Sequence, residues 1–228
     1  MDQHRILPAL RAEAEALTRA LTGLDGTDWE LPTRCAPWTV RELLGHIRVA
    51  LARVPGMLDA PEPAEPAEVT AAGYYRPDDR FSSSGNAARI DLARDLAAEH
   101  TDGAALLRDF AATWQELDRR CRPEPATRAV RTRHGDAMPL PEFLLTRVVE
   151  VAVHGLDLAD ALGREPWLTD AAEAVLLDLL VGPEQVGAVR ELDWGGADFL
   201  RKATGRAELT AAEAAEVERL GLRWLTLG

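Results

Sequence analysis

One stretch of this chain leaves few choices of fold. Residues 141–163 read PEFLLTRVVEVAVHGLDLADALG. Pro141 suits a first helical turn and Gly163 suits a stop just past the last one. Between them apolar side chains occupy almost every side of the helix. Such a helix must be covered from several directions, so it is the centre of a bundle rather than its wall. Arg147, Glu150, His154 and Asp157 interrupt the apolar surface and fall on one side. At about 100° per residue, His154 lies about 40° from Glu150 and roughly 6 Å further along the axis. A stripe of this kind either faces water or lines an interior site.

Further helices follow from period. Residues 5–23 place Ile6, Leu10, Leu17 and Leu21 mostly three and four apart, which predicts an amphipathic helix. A second opens at Thr39, with Glu42 three residues on forming a capping box, and runs to about Val54. Residues 55–85, rich in Pro, Glu, Ala and Ser, read as a long surface excursion. Residues 86–121 read as helix broken near Gly103, and the RTRHGD run at 131–136 as a short hairpin. Another helix is expected over 169–181, with shorter ones at 196–204 and 210–220, the last opened by a Thr210/Glu213 capping box. The expected architecture is mainly α. A four-helix bundle spans residues 1–165, and a small, mostly helical extension spans 166–228.

The charge balance narrows the partners. Acidic residues number 38 against 26 basic ones, a formal charge of −12, which argues against nucleic acid or an anionic membrane as partner. The two cysteines, Cys35 and Cys121, make no disulfide framework, and neither a signal sequence nor a membrane-spanning run is read. The expectation is a cytoplasmic protein, monomeric or a small homo-oligomer, that acts on a small molecule.

His46 lies on the inward side of the second helix with Leu43, Leu44 and Ile47, either as a core histidine or as a ligand. Gly45 beside it permits close approach of a backbone or ligand, at a cost of about 1 kcal/mol in helix propensity. Glu42 and His46 repeat the Glu-x-x-x-His spacing, but Glu42 is committed to its cap. If the second and fourth helices pack side by side, His46, Glu150 and His154 form a metal set of two imidazoles and one carboxylate. An open position would remain, as in catalytic zinc sites. Iron, nickel and manganese also accept such donors.

The block Trp38-Thr39-Val40-Arg41-Glu42-Leu43-Leu44-Gly45-His46, preceded by Pro32 to Pro37, resembles the N-terminal signature of the mycothiol-dependent maleylpyruvate isomerase family. That family belongs to the DinB/YfiT-like metalloenzymes. Arg147 to Leu158 resembles the family's R-x-x-E-x-x-x-H-x-x-D-L helix, and Phe199 to Arg206 its small-x-Gly-Arg segment. The resemblance covers about residues 10–206. It implies a DinB-like up-down four-helix bundle and a divalent metal, usually zinc, on His46, Glu150 and His154. It also implies mycothiol as thiol cosubstrate and a catalytic role for Arg206. Arg147 is a second candidate for binding substrate charge. The tail beyond Val181 is shorter than the family's mixed α/β C-terminal domain, so the resemblance implies least about the substrate.

Three functions follow. The first is a thiol-dependent metalloenzyme, an isomerase or S-transferase. The second is a metal-dependent hydrolase on the same bundle, and the third a non-catalytic binding protein that keeps the fold. Added thiol stimulates turnover only in the first.

Overall fold

The computed structural model describes residues 3–75 and 83–225. Helices α1 (Gln3–Leu21), α2 (Val40–Asp59), α3 (Ala71–Tyr74), α4 (Ser83–Glu99) and α5 (Gly103–Cys121) lead to a two-stranded ribbon, β1 (Ala129–Arg131) and β2 (Ala137–Pro139). The chain then continues through α6 (Leu140–Ala161), α7 (Asp170–Val181), α8 (Val186–Arg190), α9 (Gly196–Ala203) and α10 (Ala211–Arg219). Helices α1, α5, α2 and α6 pack in a closed ring, each touching the next. This is a mainly α, DinB-like helical bundle.

Helix α6 meets the requirement set by its sequence. It contacts α1, α2, α7 and α9, so its apolar surface is covered on every side. From Leu140 to Ala159 every residue is buried except Glu142, Glu150 and His154. Two of those three are the candidate ligands. The helix ends in a Schellman motif. The Arg164 amide donates to Ala159 O at 2.9 Å and Gly163 to Asp160 O at 3.2 Å, with Gly163 at φ +60°.

The capping box of α2 forms as expected. Thr39 Oγ1 accepts from Glu42 N, and Glu42 Oε2 accepts from Thr39 N at 2.9 Å. The helix runs through Pro55 to Asp59, further than the sequence reading, because Val54 and Leu58 bury against the core. The expected excursion over 55–85 is therefore interrupted by the end of α2, by α3 and by the start of α4. Its residues 76–82 lie outside the described residues. The break near Gly103 separates two helices, and α5 starts with Asp102 capping Ala105 N. Helix α4 does not join the ring. It lies on α2, close to Gly45, where a Cβ would stand 2.8 Å from Ala93 O. That approach explains the glycine.

The expected hairpin forms around RTRHGD. β1 and β2 pair antiparallel, Val130 opposite Met138. Its turn is closed by Thr132 N donating to Asp136 O at 2.8 Å, with Gly135 at φ +91°. Helices α7 and α9 pack on α6, and the buried apolar cluster extends without interruption from α1 to Phe199 and Leu200. Among the described residues no helix is long and apolar enough to cross a membrane.

Candidate metal centre

Helices α2 and α6 bring His46, Glu150 and His154 together. His46 Nε2 lies 3.2 Å from Glu150 Oε2, and His154 Nε2 lies 3.5 Å from the same oxygen. The three donor atoms sit within 4.8 Å of one another. Donors bound tetrahedrally at roughly 2.0–2.1 Å stand about 3.3–3.4 Å apart, so the two shorter separations match a cation's shell. The donor chemistry fits as well. Burial lowers the His46 pKa, favouring the neutral imidazole that ligates. Burial opposes charge on Glu150, yet hydrogen bonds from His154 and His46 and the nearby cations hold its carboxyl well below the usual range. Trp38 stacks on the His46 ring, centroids 4.6 Å apart, and fixes its plane.

A second layer orients His154. Its Nδ1 donates to Asp157 Oδ2 at 2.9 Å, which turns Nε2 toward the centre. Asp157 is fully buried. Arg206 grips it with a fork, Nε to Oδ1 and Nη2 to Oδ2, both 2.7 Å. Cys35 Sγ donates to Asp157 Oδ2 at 3.2 Å and lies 3.8 Å from His154 Nδ1. Arg34, next to Cys35, donates through Nη1 to Arg206 O at 2.6 Å. The loop before α2 and the segment after α9 are thus tied to the centre.

The structure separates the two arginines of the sequence reading. Arg206 forks onto Asp157 and is not among the described residues that line the cleft beside His46, so its contact with the centre runs through Asp157 and His154. Arg147 is buried; it donates to Ala50 O at 3.1 Å and to Thr146 Oγ1 at 3.0 Å. Its Nη2 lies 3.8 Å from Glu150 Oε1. It does line the cleft.

That cleft, about 460 Å³, opens beside His46 and Glu150, a size suited to a small molecule. Sequence spacing did not reveal its far wall, where Arg53, Tyr74 and Arg133 meet from three separate segments. Nor did it reveal Cys35 beside His154. The one available signal for that contact was the position of Cys35 in the block leading to His46.

The family model for the mycothiol maleylpyruvate isomerase N-terminal domain matches residues 10–159, the stretch holding all three candidate ligands. The chain belongs to this family. Its fold agrees with that assignment. The crystal structure of the mycothiol-dependent maleylpyruvate isomerase superimposes with a TM-score of 0.53 at 18% identity, covering 78% of this chain and 68% of that one. A histidine-to-alanine mutant of an enzyme of that name gives 0.52 at 17% identity with the same coverage. An uncharacterized protein of Mycobacterium tuberculosis, in strains CDC 1551 / Oshkosh and ATCC 25618 / H37Rv, is 26% identical over 252 residues. That match covers 96% of this family member and 91% of the relative.

Proposed function

We propose that the protein is a divalent-metal enzyme that uses a low-molecular-weight thiol, mycothiol, to isomerise a small electrophile or to transfer sulfur onto it. The observation that carries this reading is the convergence of His46, Glu150 and His154 at ligand-shell separations beside an open cleft. Family membership supplies the thiol. Two nitrogens and one oxygen with room for a further ligand favour zinc.

A bound divalent cation supplies stabilisation of a thiolate at neutral pH, where a free thiol with pKa near 8.5 is only about 3% ionised. The protein's own groups do the rest. Glu150 stays anionic because both histidines and Arg147 surround it. Asp157 and Arg206 hold the His154 ring in one orientation. Arg147 presents a buried guanidinium beside the site, suited to negative charge that develops on a carbonyl oxygen. Attack of the sulfur on an activated cis alkene turns its double bond into a single one. Rotation and loss of the same sulfur return the thiol and release the trans isomer. On a carbon bearing a leaving group, the same attack breaks the bond to that group, which departs with its electron pair, and leaves a thioether.

Elemental analysis followed by calorimetric titration with mycothiol tests the proposal. The expected result is one metal per chain and mycothiol binding that disappears in His46→Ala. Metal-free protein as purified that also takes up no zinc, or turnover without any added thiol, would overturn it.

A further inference from the structure

The cleft carries the opposite charge from the molecule around it. The chain has a formal charge of −12, yet among the described residues five arginines line the cleft and Glu150 is the one carboxylate. Elsewhere many arginines pair with acids, and those unpaired among the described residues, such as Arg11 and Arg108, are exposed. Arg119 pairs with Glu116, Arg120 with Asp59 and Arg219 with Glu216. Within the cleft, Arg131 pairs with Glu65 and Arg147 faces Glu150.

Arg53 does not follow this pattern. It is half-buried, and it has no hydrogen bond or ion pair among the described residues. Arg133, in the β1–β2 turn, pairs with no carboxylate among the described residues; its Nε donates to His134 Nε2 at 3.1 Å. Burial and then repulsion from Arg133 and Arg147 lower the Arg53 pKa against a weaker pull from Tyr74 and Glu150, so the like charges lie close enough to feel one another. A half-buried cation such as Arg53 with like charges beside it costs free energy, which an anion placed against it recovers, and Arg133 adds an exposed second guanidinium. Arg53 also stands in register with the metal centre. It follows His46 on α2 by seven residues, two turns, which puts it on the same face about 10 Å along the axis. Met57 and Phe143 give the cleft apolar wall.

We propose that Arg53 and Arg133 form an anion subsite that holds an oxyanion group, carboxylate or phosphate, of the substrate about 10 Å along α2 from the His46 ligand. The substrate is then a small anionic electrophile, its reacting carbon at the centre and its charge at the arginines. This assignment of substrate class rests on the function proposed above, whereas the subsite itself does not need the metal. A guanidinium fork accepts either anion.

Calorimetric titration of the purified protein with succinate, inorganic phosphate and uncharged succinamide, at fixed ionic strength, tests it. Arg53→Gln keeps much of the apolar stem and breaks no internal bond, so the fold is retained. Arg119→Gln, on the exposed surface, is the control. Succinate or phosphate should bind, succinamide should not, and Arg53→Gln should weaken the anion by about tenfold while Arg119→Gln leaves it unchanged. Arg133→Gln should weaken it in the same sense. Tighter binding of succinate assigns a carboxylate, and tighter binding of phosphate a phosphorylated substrate. Anion binding no stronger than succinamide binding, or equal binding by wild type and Arg53→Gln, overturns the subsite. Arg53-dependent binding in protein that takes up no zinc would keep the subsite and remove the thiol chemistry. Metal and mycothiol binding without Arg53 dependence would do the reverse.

Discussion

His46 is the one candidate ligand that does not come from α6, so its removal separates metal binding from folding most cleanly. His46→Ala takes the stacking partner from Trp38 and should cost about 1–3 kcal/mol. Helical circular dichroism is expected to persist while elemental analysis shows the metal gone, and stoichiometric metal in that variant would refute the triad. Arg206 calls for a different test, because its fork holds a carboxylate with no exposed surface. Burial opposes the Asp157 charge, and hydrogen bonds from His154 and Arg206 hold its carboxyl below the ordinary range. Arg206→Ala leaves that charge poorly compensated, at a cost of about 3–5 kcal/mol. Metal affinity should fall roughly 10–100-fold as His154 loses its orientation. Arg206→Lys should recover part of the stability without the fork. Thermal melts and competition with a chromophoric chelator read both effects; unchanged metal affinity in Arg206→Ala would leave the residue no positioning role. Helical period placed Arg147, Glu150, His154 and Asp157 on one side because spacing along a helix is local information. The fork from Arg206, 49 residues away, obeys no period, so residue spacing did not show which group it would meet.

Gly45 tests how elements pack. Alanine would gain about 1 kcal/mol in helix propensity, but its Cβ would stand 2.8 Å from Ala93 O of α4. Backbone yields little, so Gly45→Ala should be net destabilising by about 1–3 kcal/mol. A lower urea midpoint would show it, and a raised midpoint would mean that α4 moves away freely. Boundaries with chemical markers were legible in the sequence. Thr39 and Thr210 form the capping boxes their spacing announces, and Gly163 takes the positive φ of a helix stop. Elements without such markers were not. Helix α8 has five residues, fewer than two turns, and so shows no period. In helix α4 the sequence sets Leu92 and Leu96 on a helical stripe, but among its described residues Ala93 and Ala97 are the buried ones and Leu92 is exposed, so that stripe does not place it outside the ring. Pro55 read as an end to α2 because a proline lacks the amide hydrogen; burial of Val54 and Leu58 outweighs that loss.

At the scale of the whole molecule, the triad joins the neighbouring helices α2 and α6, so a cation bound there fastens two walls of the ring. A ligand that binds the folded chain alone stabilises it by about 2.7 kcal/mol at a concentration 100 times its Kd. For a chain of this size that corresponds to roughly 5–10 °C in Tm. The shift should depend on pH in a defined direction. Burial by itself would lower the His154 pKa, but hydrogen bonds to Asp157, Cys35 and Glu150 raise it well above the ordinary histidine value. In the metal-free protein His154 therefore holds a proton at neutral pH, and a cation must displace it. Metal affinity should rise with pH up to that elevated pKa and weaken as pH falls. The stability that protonated His154 gives the metal-free fold is complete below the unfolded value of about 6.5, and is lost as pH rises through the folded one. These are two views of one proton equilibrium, which widens the gap between zinc-loaded and chelator-treated protein on going from pH 6 to pH 9. Scanning calorimetry of the two forms across that range should show the gap growing. In His46→Ala the zinc-dependent gap should collapse at every pH, because Glu150 and His154 alone supply too few donors; a gap that stayed constant with pH in the wild type would mean that no proton leaves His154 when the cation arrives.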